Sequence, residues 1–513
     1  MIIALLPLGH FLLAALSLAW ERGTRGVLLL SLLLDAALVG VLFRQLASGQ
    51  TVSVVLGGWG KEVGIVLADD RYSLVFALLA LLLGGAVVAY LWRERLRPYF
   101  FMLLHLLLGS VFALLFARDL FNIYVIMELL TLTSFLLVGY EKKAYQVWAS
   151  LKYLVLASLG MGIYLLGLAV VYYHTGTLNL ELLSALIPSG GDAPQWLLLA
   201  SSLLVAGVAV KSGIFIFSLW LPAAHATASP AISALLSGLV IKMGVVVLLR
   251  LALVFPLSLP LEVLSAVTGL LGIIYAIYTY DLKKMLAFHT LSQIGYLVLG
   301  IGIGSEIEIA GSLEYAVGHG LFKGLLFLAA GAAVQAAGRE DIPGLIARRS
   351  RIPLVTRVGL LVGTMGIMGM PPLAGFCGKT LLSNGAESLV IQTILVLLSI
   401  GTVVSFAKLI PLFHLERGPS TPWSKTVAYA ILGLPMVLFL PLTRLFLPVE
   451  LWRESFGAIP FLESLLAIIA GLLIYRFLPK RLPRLPKRVF HLEEAILIIL
   501  LGFFLVFILI WLG

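Results

Sequence analysis

Six side chains stand in apolar surroundings where charge is expensive: Glu128, Lys211, Lys242, His319, Lys323 and Lys379. A charge within hydrocarbon costs about 2.5–3.5 kcal/mol on insertion scales, so each of these residues requires a reason. Glu128 lies about a third of the way through "LFNIYVIMELLTLTSFLLVGY". A carboxylate there can stay protonated, pair with a cation or face a wet cavity. Lys211 opens "KSGIFIFSLWLPAAHATASPAISALLSGLVIKMG", about two turns before a break expected at Pro222, and is too deep to reach the interface comfortably. Burial disfavours an ammonium ion and a nearby carboxylate favours it, so a Glu128–Lys211 pair could change its proton occupancy as the local field changes. The plainer alternatives are a neutral, hydrogen-bonded glutamic acid and a purely structural ion pair.

Lys242, in "LSGLVIKMGVVVLLR", has apolar neighbours on both sides. His319 and Lys323, in "AVGHGLFKGLLFLAAGA", are four residues apart and share a helix face. A lone histidine in an apolar helix is more often a satisfied core residue, but a lysine one turn on points to a hydrated polar track. Lys379, in "GMPPLAGFCGKTLLSNG", follows the double proline Pro371–Pro372. Four further residues are weaker members of the set. His225 lies between Lys211 and Lys242, His289 reads equally well as interfacial, Lys408 as a snorkelling side chain, and Lys152 as ambiguous. No three of these residues have metal-ligand spacing, and no Ser-His-Asp or Cys-His arrangement is present. The single Cys377 excludes a disulfide within the chain.

The elements that must position these groups are membrane helices. Of 513 residues, 61% are hydrophobic and 12% charged, too apolar for a soluble domain of this length. Runs of about 20 apolar residues, enough to cross the hydrocarbon core, recur throughout, and they are continuous rather than alternating, which argues against a β-barrel. Sixteen spans are expected, near 2–20, 26–46, 73–92, 98–117, 120–140, 148–172, 196–219, 231–254, 261–280, 286–304, 309–336, 353–383, 390–413, 426–447, 460–478 and 492–512. The first reads as a retained helix and not a cleaved signal peptide. The fold class is therefore an all-α polytopic membrane protein of 14–16 helices.

The net charge of +10 follows membrane topology and does not indicate nucleic acid. Arg22, Arg25, Arg93, Arg95, Arg97, Lys142, Lys143, Lys283, Lys284, Arg348, Arg349, Arg351 and "PKRLPRLPKR" at 479–488 all fall on one side. Only isolated cations such as Lys61, Arg71 and Arg118 fall on the other. The first side should be cytoplasmic, with the chain in the cell membrane and both termini outside.

Residues 47–72 read as an external β-hairpin around Gly57–Gly58. No nucleotide-binding glycine pattern occurs, so no cofactor is indicated, and the chain has no catalytic centre of its own. Lys211 precedes Lys242 by 31 residues and Lys379 precedes Lys408 by 29, and each pair begins in a span interrupted by proline. Paired, interrupted spans point to inverted repeats with ion sites at the broken helices. The expected division is 1–97, N-terminal helices with the hairpin; 98–254 and 261–413, the two five-helix repeats; and 414–513, C-terminal helices.

The quoted stretches, with "DLKKMLAFHTLSQIGYLVLGIG", "GHGLFKGLLFLAAGA" and "MPPLAGFCGK", resemble the proton-conducting membrane subunit family. It includes Mrp-type Na⁺/H⁺ antiporter subunits and the antiporter-like subunits of complex I and membrane-bound hydrogenases. The resemblance covers roughly residues 70–415, and the length favours the D-type Mrp subunit over the much longer A-type. It implies a Glu128–Lys211 pair on the fifth and seventh helices, a relay lysine at Lys242, the connection His319–Lys323 and an exit at Lys379. It also implies partners: other membrane subunits of an antiporter or respiratory complex, protons, and Na⁺ carried by this chain or a neighbour. Such a subunit can be the ion-pumping part of a respiratory oxidoreductase. The chain departs from the pattern at Thr227 and Ala223, which remove charge at the cytoplasmic end of the first repeat. A different class, a stand-alone transporter for a small solute or ion, would need a midplane pocket shaped for that solute; a file of lysines and histidines suits protons better.

Overall fold

The computed structural model describes residues 2–19, 23–187, 193–414, 418–443, 448–479 and 491–512. Arg22, most of the basic 479–488 stretch and the terminal residues Met1 and Gly513 lie outside the described residues. Fourteen helices among them are long and apolar enough to cross a membrane. Two more crossings are interrupted, Leu354–Met368 with Ala374–Gly385 and Trp423–Val437 with Phe439–Thr443. Helix forms the greater part of all sixteen expected spans, because lipid offers backbone polar groups no other partner than their own chain. The protein is an all-α polytopic membrane protein.

The one sheet among the described residues is the expected hairpin. Ser53–Leu56 pairs antiparallel with Ile65–Ala68, Val55 opposite Val66, and Gly57 and Gly58 take the positive φ that the turn requires. Arg118 donates its backbone N–H to the Val66 carbonyl at 2.9 Å, tying the hairpin to the loop after Pro98–Phe116. Arg118 also bridges Asp70 at 2.6 Å.

Two sets of five helices repeat one packing plan on opposite faces. Asp119, after Pro98–Phe116, bridges to Asn179, after Ala144–Thr175. Leu120 N–H donates to Leu178 O at 2.9 Å, and Leu180 N–H to Arg118 O at 3.0 Å. The same knot recurs 162 residues later, between Asp281 and Asp341. There Leu282 N–H donates to Glu340 O at 3.0 Å and Ile342 N–H to Tyr280 O at 2.8 Å. Asp119, Asn179, Asp281 and Asp341 each also cap the helix that follows. The long helices Ala144–Thr175 and Glu306–Ala337, 32 residues each, match at the same offset. Counting crossings puts the first knot on the hairpin face and the second on the basic face, so the two sets are inverted.

Each set contains a broken helix. Gln195–Ser212 ends at Gly213 in the left-handed conformation, and Leu221–Thr227 resumes the crossing. The break therefore begins at Gly213 and not at Pro222. Pro222 sits in the first turn of the second half-helix, where a missing N–H costs nothing. Lys211, expected two turns away, is the penultimate residue before the break. In the second set Leu354–Met368 ends at left-handed Gly369, and Ala374–Gly385 follows.

The interior lies where the two sets meet. The best membrane-length window of Pro230–Ala252 is 100% buried and that of Glu306–Ala337 94%, against 6% for Ala458–Phe477 at the edge. The two C-terminal helices each brace one break. Ser464 donates its hydroxyl to Gly369 O at 2.7 Å, while Gly502 packs against Ile216 and Phe217.

Candidate functional site

Glu128 lies midway along Leu120–Val138, deeper than a third of the way. Its Oε1 is 3.8 Å from Lys211 Nζ, with side-chain exposures of 24% and 6%, so the carboxylate end of the pair reaches the protein surface and the lysine end is buried. Ser158 on the neighbouring helix donates to the other carboxylate oxygen at 3.3 Å. The gap after Lys211 is held by specific bonds. Trp220 Nε1 donates across it to Val210 O at 2.9 Å and stacks on Tyr153 at 4.1 Å. Phe215 N–H donates to Thr268 Oγ1 at 2.9 Å.

Lys242 follows one π-helical turn, Leu236–Val240. Such a turn widens the backbone ladder and frees a carbonyl, and Lys242 Nζ donates to Ser237 O. Ser237 in turn exchanges a hydrogen bond with Thr290 at 2.8 Å. Gly244 packs directly on Ser212, an approach that a Cβ would block. Lys211 and Lys242 therefore flank one helix crossing.

Beyond it the predicted residues gather. His319 lies within electrostatic reach of Lys242, Lys323, His225 and His289. His289 in turn has Lys323, Lys379 and Lys408 as charged neighbours. Lys323 Nζ donates to Leu286 O at 2.5 Å. His225 Nδ1 bonds Leu221 O at 3.0 Å, and neither ring nitrogen of His319 or His289 has a hydrogen-bond partner among the described residues. His289 is fully buried against Phe406 at 4.5 Å, which overturns its interfacial reading. Lys379 Nζ donates to Ile367 O at 3.1 Å and sits 5.2 Å from the Tyr296 ring and 5.9 Å from that of Tyr315.

Two weaker candidates have other surroundings. Lys408 does not snorkel. It donates to Ala276 O at 2.9 Å, Ile277 O at 3.0 Å and Thr279 O at 2.8 Å, closing the end of Ser258–Tyr278. Lys152 is buried near the start of its helix and has Glu494, on Leu492–Leu512, as a charged neighbour.

A cavity of 680 Å³ on the basic face reaches the turn at Thr227–Ser229 between the second half-helix and Pro230–Ala252. Gln146 donates to Thr227 O at 3.0 Å and Lys283 to Ala228 O at 2.5 Å. The cavity is lined by Glu94, Glu141, Asp281 and Glu340 together with Lys143, Lys283 and Lys284. Burial works against the Glu141 carboxylate, but hydrogen bonds from Lys143 and Gln146 outweigh it and hold the group below its ordinary range. It is ionised at neutral pH.

Sequence reasoning missed several groups. Glu308 and Glu314 are buried carboxylates in Glu306–Ala337. His10, Asp35 and His105 form a buried chain, His10 bonding Asp35 at 2.8 Å and His105 at 2.9 Å. For His10, Asp35 and His105 the signal was available, since each is a lone polar residue in an apolar run, the criterion that singled out Glu128. Among the described residues no group of three His, Cys, Asp or Glu side chains is placed to hold a metal ion.

Residues 117–405 match the family described as NADH:quinone oxidoreductase/Mrp antiporter, membrane part. The D component of the Na⁺/H⁺ antiporter of Alkalihalophilus pseudofirmus is 29% identical over 367 residues, 69% of this chain and 74% of that protein. The N component of the NADH-quinone oxidoreductase of Desulforudis audaxviator is 29% identical over 425 residues, 80% of this chain and 84% of its own length. Among solved structures, a chain of the membrane-bound sulfane sulfur reductase, an archaeal respiratory membrane complex, superposes with a TM-score of 0.79 at 22% identity. That match covers 92% of this chain and 99% of the other. A chain of the Mrp complex from Dietzia sp. DQ12-45-1b superposes with a TM-score of 0.77 at 23% identity, with the same coverage. With the family's match spanning more than half of its length, and both broken helices inside that match, this chain belongs to the NADH:quinone oxidoreductase/Mrp antiporter membrane family.

Proposed function

We propose that this chain is a proton-translocating, antiporter-like subunit of a multi-subunit membrane complex, the counterpart of the D-type Mrp subunit or of an antiporter-like subunit in a respiratory complex. The Glu128–Lys211 pair at the broken helix carries this reading, because an ion pair whose carboxylate is still partly exposed can gain or lose a proton where a fully sealed one cannot. From Lys211 the proton passes across the Ser212–Gly244 crossing to Lys242, then through His319 and Lys323 to Lys379. His225 and His289 line the same track. At the second break Lys379 takes the Ile367 carbonyl in the last turn of the preceding half-helix, the arrangement by which interrupted helices build ion sites.

The 680 Å³ cavity is the mouth on the basic face. We assign that face to the cytoplasm from the lysine and arginine bias, which places the chain in the cell membrane with both termini outside. Residues 98–254 and 261–413 are the two functional halves; 1–97 and 414–513 flank them. The neighbouring subunits supply the driving force, and Na⁺ crosses through this chain or one of them.

The test is Glu128→Ala in membrane vesicles that hold the assembled complex. Removing the carboxylate leaves Lys211 without its counter-charge, and ion-driven pH change should vanish with the complex intact. A wild-type response at equal abundance contradicts the assignment.

A further inference from the structure

On the hairpin face a second, smaller cavity of 80 Å³ leads inward beside the second repeat. Its mouth carries Arg71, Tyr72 and Glu306, all exposed, and Glu314 lies at its base. Eight residues separate Glu306 from Glu314 on one helix, a rise of about 12 Å into the protein. Glu314 is 1% exposed, and among the described residues its carboxylate has no cation within salt-bridge distance and no polar partner stronger than the weakly donating Cys377 thiol. A cavity of this size holds a few waters. A carboxylate without a cation at its side is the most costly kind of group to bury in a membrane, so its position calls for a function.

Glu314 also adjoins the end of the relay. The Cys377 thiol sits against it, and Lys379 lies two residues further along the same half-helix. Gly378 packs so closely on Tyr315 that a Cβ there would fall 2.6 Å from the tyrosine side chain. Glu314–Tyr315 and Cys377–Lys379 thus form one crossing, with the Tyr315 ring 5.9 Å from Lys379 Nζ. The 162-residue symmetry adds an independent observation. The equivalent of Glu314 is Lys152, at the same place in the equally long helix of the first repeat but near the opposite face. A titratable group occupies this position in both halves.

We propose that Glu314 is the proton-accepting carboxylate of the exit. The Lys379 ammonium releases a proton to it through intervening water and becomes a neutral amine; the carboxylate becomes a carboxylic acid. Glu314 then returns the proton to water in the Arg71–Tyr72–Glu306 vestibule, so nothing is consumed. A proton fits this site better than a metal cation, because the base offers only one carboxylate. The competing exit is the 480 Å³ cavity that joins Lys379 to Glu463. Glu463, however, is exposed at the edge of the molecule, where solvent or a headgroup satisfies it.

The inference rests on the relay reading above, and the experiment separates the two. Translocation is measured in vesicles containing the whole complex for Glu314→Gln, Glu314→Asp, Glu463→Gln and Glu128→Ala at equal abundance. Glu314→Gln keeps the shape but cannot carry a proton, and the rate should fall by about a hundredfold, as for a positioned acid–base group. Glu314→Asp should recover much of it. In infrared difference spectra recorded on shifting the external pH, the band of a buried carboxylic acid should disappear in Glu314→Gln, which a merely structural role does not predict. Near-wild-type rates in Glu314→Gln with an inactive Glu128→Ala overturn the exit and leave the relay standing. So does a loss confined to Glu463→Gln. An active Glu128→Ala overturns the relay itself.

Discussion

Lys211 lies two residues before the left-handed glycine that ends its half-helix, whereas Lys379 lies ten residues after the corresponding glycine. The first has a carboxylate at 3.8 Å. The second has a backbone carbonyl and two tyrosine rings, with no carboxylate within salt-bridge distance among the described residues. One architectural device, repeated and inverted, thus holds a lysine in two electrostatic settings. In the first a fixed counter-charge retains the ammonium ion. In the second weaker, neutral partners do so, and a neutral amine is a closer competitor. The difference suits a chain of groups that captures a proton at one break and lets it go at the other.

That contrast can be broken most severely at Lys211. Lys211→Ala leaves Glu128 without its cation, and vesicle translocation should drop to background while the complex still assembles. Persistent transport would mean that the ion pair is only structural. At the second break a smaller effect is expected from the ring. Tyr296→Leu removes a cation–π partner worth about 0.5–2 kcal/mol, so translocation should change several-fold. Tyr296→Phe keeps the ring and loses the hydroxyl bonds to Leu395 O and Ser399. If it behaves like Tyr296→Leu, the hydroxyl and not the ring matters to Lys379. The smallest effect on transport belongs to Lys408, whose three carbonyl bonds make it an anchor. Lys408→Gln should lower thermal stability by about 1–3 kcal/mol, with rate per molecule retained. Loss of transport without loss of stability would return Lys408 to the relay.

The spans and the hairpin were legible because lipid imposes length and apolarity on every crossing, and because Gly-Gly between β-branched runs has few other uses. The buried lysines were legible for the converse reason, as cations in runs that exclude them. The break was misplaced because a proline was taken for its cause; Pro222 starts a half-helix, and the interruption is set by Gly213 and the bonds of Trp220 and Phe215. Lys408 and His289 were left open because depth depends on which neighbours cover a residue, and packing against Ser258–Tyr278 and Phe406 has no signature in the local sequence. Glu314 lay hidden in "SEIEIAGSLEYAVGHG", where three glutamates look like the polar end of a span. His10, Asp35 and His105 come from three separate runs joined only by tertiary contact. The inverted plan rested on lysine spacings of 31 and 29 residues, but the stronger mark of it is the pair of loop knots, made of backbone hydrogen bonds that no residue pattern announces.

The central claim, that these lysines release and rebind protons, is tested most directly at Lys379. Arginine keeps the charge and the aromatic contacts but holds its proton, with a pKa above about 12. Translocation by vesicles carrying Lys379→Arg and Lys379→Ala should be compared at equal membrane abundance. The relay predicts that both are inactive, with Lys379→Arg the better assembled. Near-normal translocation in Lys379→Arg beside an inactive Lys379→Ala would make Lys379 a fixed structural charge and contradict the account.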